Sequence, residues 1–137
     1  MALEAMASGL PVVASKIGGL RETVIDLRED KSNGTGILVP IEDPIELAKG
    51  VVSLVSILRV GELLRRGFPI NCSEFEAKVY YEELKDLICR QDVDIRIRRN
   101  AINRVEKAFR WRNIADMVKK VYVDSYRARE GYFKFLH

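Results

Sequence analysis

Histidine is nearly missing from this chain of 137 residues, and its one copy, His137, is the last residue. A metal site or catalytic triad built on imidazole needs a histidine inside the fold, so neither is expected. Cysteine is almost as scarce. Cys72 and Cys89 stand apart with no metal-ligand spacing around them, and nothing nearby marks a reactive thiol. Two free thiols without a signal-peptide pattern read as a reduced, cytoplasmic protein. Long apolar runs are missing too. The longest lies around 51–58, far short of a membrane span. Nor is there an excess of one charge: 23 basic against 20 acidic side chains leave a net +3, which does not argue for nucleic acid or an anionic surface. No spaced-glycine dinucleotide fingerprint, P-loop, internal repeat or low-complexity stretch is present.

What is there is the composition of one globular domain. The apolar fraction is 47% and the charged fraction 31%, which excludes a disordered chain. Residues 2–8 form a helix-favouring run that Gly9 and Pro11 stop. Nothing caps its start, so the pattern reads as a segment whose helix is already running. Residues 10–14 suit a buried parallel strand, 15–19 a loop, and 20–27 a helix with Leu20, Val24 and Leu27 on one face. After a polar turn over 28–33, Gly34-Thr35-Gly36 leads to a second apolar run, 37–39. Asp43, Pro44 and Glu46 then make a capped helix start, followed by an apolar stripe of Leu47, Val51, Leu54, Val55 and Leu58. Gly61 and Gly67-Phe68-Pro69 close this part.

From residue 73 onward the chain reads as helical. Phe75, Val79, Leu84, Leu87 and Ile88 indicate one helix. Val93, Ile97, Ala101, Val105 and Ala108 indicate a second, and Ile114, Met117, Val118, Val121 and Tyr122 a third. The fold class is therefore α/β: two short parallel strands, several helices and a helical carboxy-terminal half. Two parallel strands leave open edges. The chain is expected to pair with another copy or to depend on a further segment.

Residues 3–15, Leu-Glu-Ala-Met-Ala-Ser-Gly-Leu-Pro-Val-Val-Ala-Ser, resemble the most recognisable stretch of family-4-type retaining GT-B glycosyltransferases, the glycosyl transferases group 1 that include glycogen-synthase-like enzymes. The resemblance continues through Gly18-Gly19-Leu20-Arg21-Glu22-Thr23-Val24, through 33–40, and to Asp43-Pro44 with its helix. It returns loosely over 84–126, where Phe109-Arg110-Trp111 is similar to the aromatic pair opening the family's last helix. The resemblance implies a partial Rossmann-like carboxy-terminal domain of the GT-B fold. It also implies transfer of a hexose, with retention, from a nucleotide diphosphate sugar to a sugar or glycan acceptor. That donor is a substrate; no cofactor and no metal is implied. On this reading 1–58 is the partial nucleotide-sugar-binding segment, 59–80 an insertion, and 81–137 the carboxy-terminal helices.

Glu4 matches the second of the family's spaced pair of glutamates, which implies a contact with the donor ribose. An ionised carboxylate can accept two hydroxyl bonds, strengthened by its charge. From the residue alone, a solvated carboxylate on a helix surface is the simpler account of Glu4. Gly18-Gly19 is the kind of turn that brings backbone N–H groups close to a phosphate or sugar, and it also serves as a plain strand-to-helix turn. Ser15 and Lys16 share that loop. The first glutamate, the basic residues that hold the diphosphate and the acceptor domain would all precede Met1. The chain is thus expected to be an inactive fragment when alone, with an amino-terminal domain or a second copy as its partner. Arg96, Arg98, Arg99, Arg104, Lys107, Arg110 and Arg112 read as a solvated helix face, with nucleic-acid binding as the alternative. The aromatic tail Tyr122, Tyr126, Tyr132, Phe133 and Phe135 reads as packing.

Overall fold

The computed structural model describes residues 1–71 and 80–134. Helix α1 (Ala2–Ala7) leads to strand β1 (Val12–Ser15), the short helix α2 (Leu20–Thr23), strand β2 (Gly36–Val39) and the long helix α3 (Pro44–Arg65). Helices α4 (Tyr81–Ile88), α5 (Val93–Ala108) and α6 (Trp111–Lys134) follow. The architecture is α/β, as the alternation of patterns implies.

The reversal after α1 rests on Gly9, at φ +74, a left-handed conformation that costs glycine least. Strands β1 and β2 pair in parallel from Val12↔Gly36 to Ser15↔Val39. On the far side of β2 the chain makes an isolated parallel bridge, Asp26↔Gly36. Thr35 N–H donates to the Ile25 carbonyl at 2.8 Å and Leu27 N–H to the Gly36 carbonyl at 2.9 Å. The helix expected over 20–27 is corrected here. It ends at Thr23, and Val24 turns extended at φ −91, ψ 128, because 25–27 is recruited to cover the edge of β2. Asp26 completes that edge. Its nearly sealed carboxylate (1% exposed) accepts from Leu38 N–H at 2.9 Å and from Arg28 N–H, Nε and Nη2 at 2.8, 3.0 and 2.6 Å.

Helix α3 covers one face of the strands. A Cβ on its Gly50 would stand 2.9 Å from a Val13 methyl and 3.1 Å from a Val39 methyl, so glycine is what lets the helix sit this close. Its start follows the sequence pattern, with the Asp43 side chain accepting from Ile45 and Glu46 N–H at 3.1 and 2.9 Å. The other face is covered by α1 and the later half of α5 through Met6, Val24, Leu38 and Ala101. The earlier half of α5 belongs to the first layer, where a Cβ on Gly61 would lie 2.6 Å from a Val93 methyl. Helix α5 therefore joins both layers.

Three expectations need correction. The buried face of α3 is Gly50, Ser53, Leu54, Ile57, Val60 and Gly61; of the expected stripe Leu54 is buried and Leu58 packs against the core, but Leu47, Val51 and Val55 are not part of it. Leu47, Val51 and Val55 remain 43%, 45% and 59% exposed. At ~100° per residue Leu47, Val51 and Val55 lie on one flank of the buried face and Lys49 on the other, while Glu46 falls within its arc. Glu46 accepts from the Tyr80 hydroxyl, and Tyr80 packs under Arg28, beyond β2. The exposed part of the apolar stripe is left on the flank away from Lys49. Second, Gly61, expected to help close this part, lies inside α3, which runs on to Arg65; 72–79, with Phe75, Val79 and Cys72, lie outside the described residues. Third, Cys89 is disulfide-bonded, not a free thiol. Disulfide formation follows Cα separation in space rather than spacing along the chain, and the argument for a reducing compartment loses its support.

Helix α5 matches the expected second helix, with Val93, Ile97 and Ala101 buried. Helix α6 carries its apolar side outward: Trp111, Met117, Val121 and Tyr122 are 83%, 56%, 64% and 74% exposed. The side chains of Tyr132, Phe133 and Phe135 lie outside the described ones. Among the described residues no helix is long and apolar enough to cross a membrane.

Candidate functional site

Chain direction decides which residues share an end of the sheet. Helix α1 runs one way, Gly9 reverses the chain, and β1 returns antiparallel to it. The first turn of α1, with Glu4, therefore sits at the carboxyl end of β1, where the loop of residues 16–19 leaves. Helix α1 packs against both β1 and α2. In open α/β sheets this end is where ligands are held.

Glu4 is fully solvated on α1. Its carboxylate pairs with the Met1 ammonium at 2.7 Å. The hydrogen bond and charge of that ammonium hold its pKa below the ordinary 4.5, so Glu4 is ionised at neutral pH.

Gly18 takes φ +48 and Gly19 follows at φ −63, ψ −15. Successive residues of opposite hand turn their N–H groups to the same side, the concave arrangement that receives anions. Residues 20–24 all donate within the turn and α2, starting with Leu20 N–H to the Ile17 carbonyl at 3.1 Å. Among the described residues, neither Gly18 N–H nor Gly19 N–H donates to any protein acceptor. A Cβ at either glycine would meet nothing within 4 Å, so the turn faces open space. Gly18, Arg21 and Glu22 line a hollow of about 390 Å³ there. A neighbouring hollow of about 520 Å³ is lined by Lys16, Arg21, Glu29 and Arg104, among others.

The surrounding charges are largely committed. Lys16 pairs with Glu29 at 2.8 Å, a half-exposed pair rather than a free cation. The basic face of α5 proves only partly solvated. Arg98 reaches the Gly9 carbonyl at 3.5 Å, and Arg104 donates to the carbonyls of Glu22 and Thr23. The sequence reading missed these two anchors, because a helix periodicity shows which side a residue lies on but not which distant carbonyl it meets. Among the described residues no group of His, Cys, Asp or Glu could hold a metal ion.

Comparison with known proteins follows the same residues. The family described as Glycosyl transferases group 1 matches residues 1–56. A protein named as an uncharacterized glycosyltransferase, from Methanocaldococcus jannaschii, is 32% identical over 83 residues, 61% of this chain and 21% of its own length. The match thus spans about a fifth of that relative. No solved structure matches the chain significantly.

Proposed function

Since residues 1–56 match the glycosyl transferases group 1, we propose that this chain supplies part of the donor side of a GT-B glycosyltransferase of the retaining, family-4 type. The reaction is transfer of a hexose from a nucleotide diphosphate sugar to a sugar or glycan acceptor, with glycogen-synthase-like chemistry as one version. The observation that carries this reading is the pair of unengaged N–H groups at Gly18 and Gly19, in an open turn of alternating hand. Two such donors suit the diphosphate, and fixed dipoles of this kind stabilise a departing diphosphate without reorganising. Glu4, ionised at the same end of the sheet, accepts from the ribose hydroxyls once the donor displaces its contact with Met1. No nucleophile is assigned to the retaining step.

A second reading, an interaction module without turnover of its own, is favoured by the open edge of β1. In a parallel ladder alternate residues point their N–H and C=O groups to opposite sides. Val12 and Lys16 donate toward β2, which among the described residues leaves Val13 and the Ser15 N–H facing outward, while the Ser15 carbonyl accepts from Ile17 N–H at 2.8 Å. On α3, Leu47, Val51 and Val55 are about half exposed, and covering what remains of each would contribute roughly 0.7–1.5 kcal/mol, about half the value for a fully exposed side chain. A separately supplied amino-terminal segment with a parallel strand, or a second copy, would fill the open edge.

Titration of the chain with uridine, adenosine and guanosine diphosphate sugars, followed by backbone NMR, tests the donor reading. Shifts should cluster at Gly18, Gly19 and Glu4. Glu4→Ala should weaken binding by about tenfold, the effect of losing one charged hydrogen-bond acceptor. Absence of any shift at millimolar ligand would remove the donor reading and leave the interaction module.

A further inference from the structure

We propose that Arg104, on α5, is the positioning residue that holds the Gly18–Gly19 turn in its open geometry, acting through α2; the inference rests on the donor-loop reading above. Helix α2 has only four residues, too few to be stable unaided. Its last carbonyls have no intrahelical partner, as at every helix end. Arg104 supplies one. Its Nη2 donates to the Glu22 carbonyl and its Nε reaches the Thr23 carbonyl at 3.4 Å. A cation at a helix carboxyl end is also favoured by the alignment of peptide dipoles. The guanidinium in turn lies 5.5 Å from the Phe109 ring centre, which limits its freedom.

The turn is tied to the far end of the same helix. The Gly19 carbonyl accepts from Thr23 N–H at 3.0 Å and from Thr23 Oγ1 at 2.7 Å. The Gly18 carbonyl accepts from Arg21 N–H at 3.2 Å. Every bond restraining the two glycines therefore closes within α2, and the other end of α2 is held by Arg104. A side chain 81 residues away from Thr23 in sequence fixes the direction of the two free N–H groups without touching a ligand.

The test uses the full chain without ligand, then with uridine diphosphate. In Arg104→Met the backbone order parameters over 18–23 should fall from about 0.85 to about 0.6 or lower, while β2 and α3 keep theirs. Arg104→Lys, which retains a donor and the charge, should recover most of that order. Arg110→Met, which removes only a surface pair with Glu106, should change neither. Binding of uridine diphosphate should weaken about tenfold in Arg104→Met and be restored in Arg104→Lys. Unchanged order over 18–23 in Arg104→Met overturns the inference, as does equal loosening of β2 and α3, or loss of the whole fold in both variants. If the wild type binds no uridine diphosphate, the donor reading fails, and the ligand-free order still decides whether Arg104 positions the turn.

Discussion

Replacing Gly36 with alanine is expected to prevent the native fold from forming. A Cβ at this position would stand 1.9 Å from the Val12 carbonyl oxygen and 2.9 Å from its carbon. Both are backbone atoms of the paired strand, so no side chain can rotate away. Nor can β2 retreat, since its other edge is bonded to Ile25 and Leu27 at 3.3 and 2.9 Å. Overpacking against movable side chains costs about 1–3 kcal/mol, and a clash between two fixed backbones exceeds that. Domains of this kind hold about 5–15 kcal/mol in all. The variant should therefore melt more than about 10 °C below the wild type, or not fold. Circular dichroism on heating decides it: a melt of Gly36→Ala superimposable on the wild type would show that the strands can separate without loss.

The second large effect is expected at Asp26. Its removal would leave the Leu38 N–H and the Arg28 guanidinium, 23% exposed, without their acceptor. Breaking a buried pair in this way costs about 3–5 kcal/mol. Arg28 also donates to the Leu38 carbonyl and stacks over Tyr80, 4.6 Å from the ring centre, so the loss would spread from β2 to the approach of α4. A pH dependence follows. Burial pushes the Asp26 carboxyl up, but the Arg28 hydrogen bonds, the Arg28 and Leu38 amides and the Arg28 charge outweigh it and hold the pKa below 3.8. A carboxyl whose folded value is lowered stabilises the fold above its unfolded value, and that contribution is lost as pH falls through the folded one. Urea midpoints should be steady near neutrality and drop below about pH 4, and Asp26→Asn should be weaker at neutral pH with a shallower acid limb. An identical acid limb in that variant would show that other carboxylates carry the effect.

Sequence alone discloses the elements whose pattern is local. Asp43-Pro44 announces α3 because a cap is a matter of adjacent residues, and the period of Val93, Ile97 and Ala101 announces α5. It misleads where tertiary demand overrides local pattern. Leu27 completes an apolar face with Leu20 and Val24, yet lies outside the helix, at the start of a turn, because its N–H is used to bond the edge of β2 at the Gly36 carbonyl. Leu47, Val51 and Val55 have core spacing, but Gly50 and Gly61, silent in an apolar count, choose the face that approaches the strands. The candidate site divides in the same way. Glu4 and Gly18-Gly19 are legible as motif residues. The unengaged N–H groups depend on where each neighbouring bond closes, and Arg104 depends on a contact across most of the chain.

The placement of α5 has a consequence for how the chain can be divided. The stretch matching the glycosyl transferases ends at residue 56, yet Met6 and Leu38 are sealed by Ala101, and Asn100 donates to the Ser32 and Gly34 carbonyls at 2.8 and 3.3 Å. The family-like portion is thus not a removable cassette. Its core is completed by a much later part of the polypeptide, so on a ribosome the strands must wait, unsealed, until α5 emerges. Contacts this distant in sequence slow folding, and any process that cuts the chain ahead of α5 would expose the interior of the family-like segment rather than release it intact.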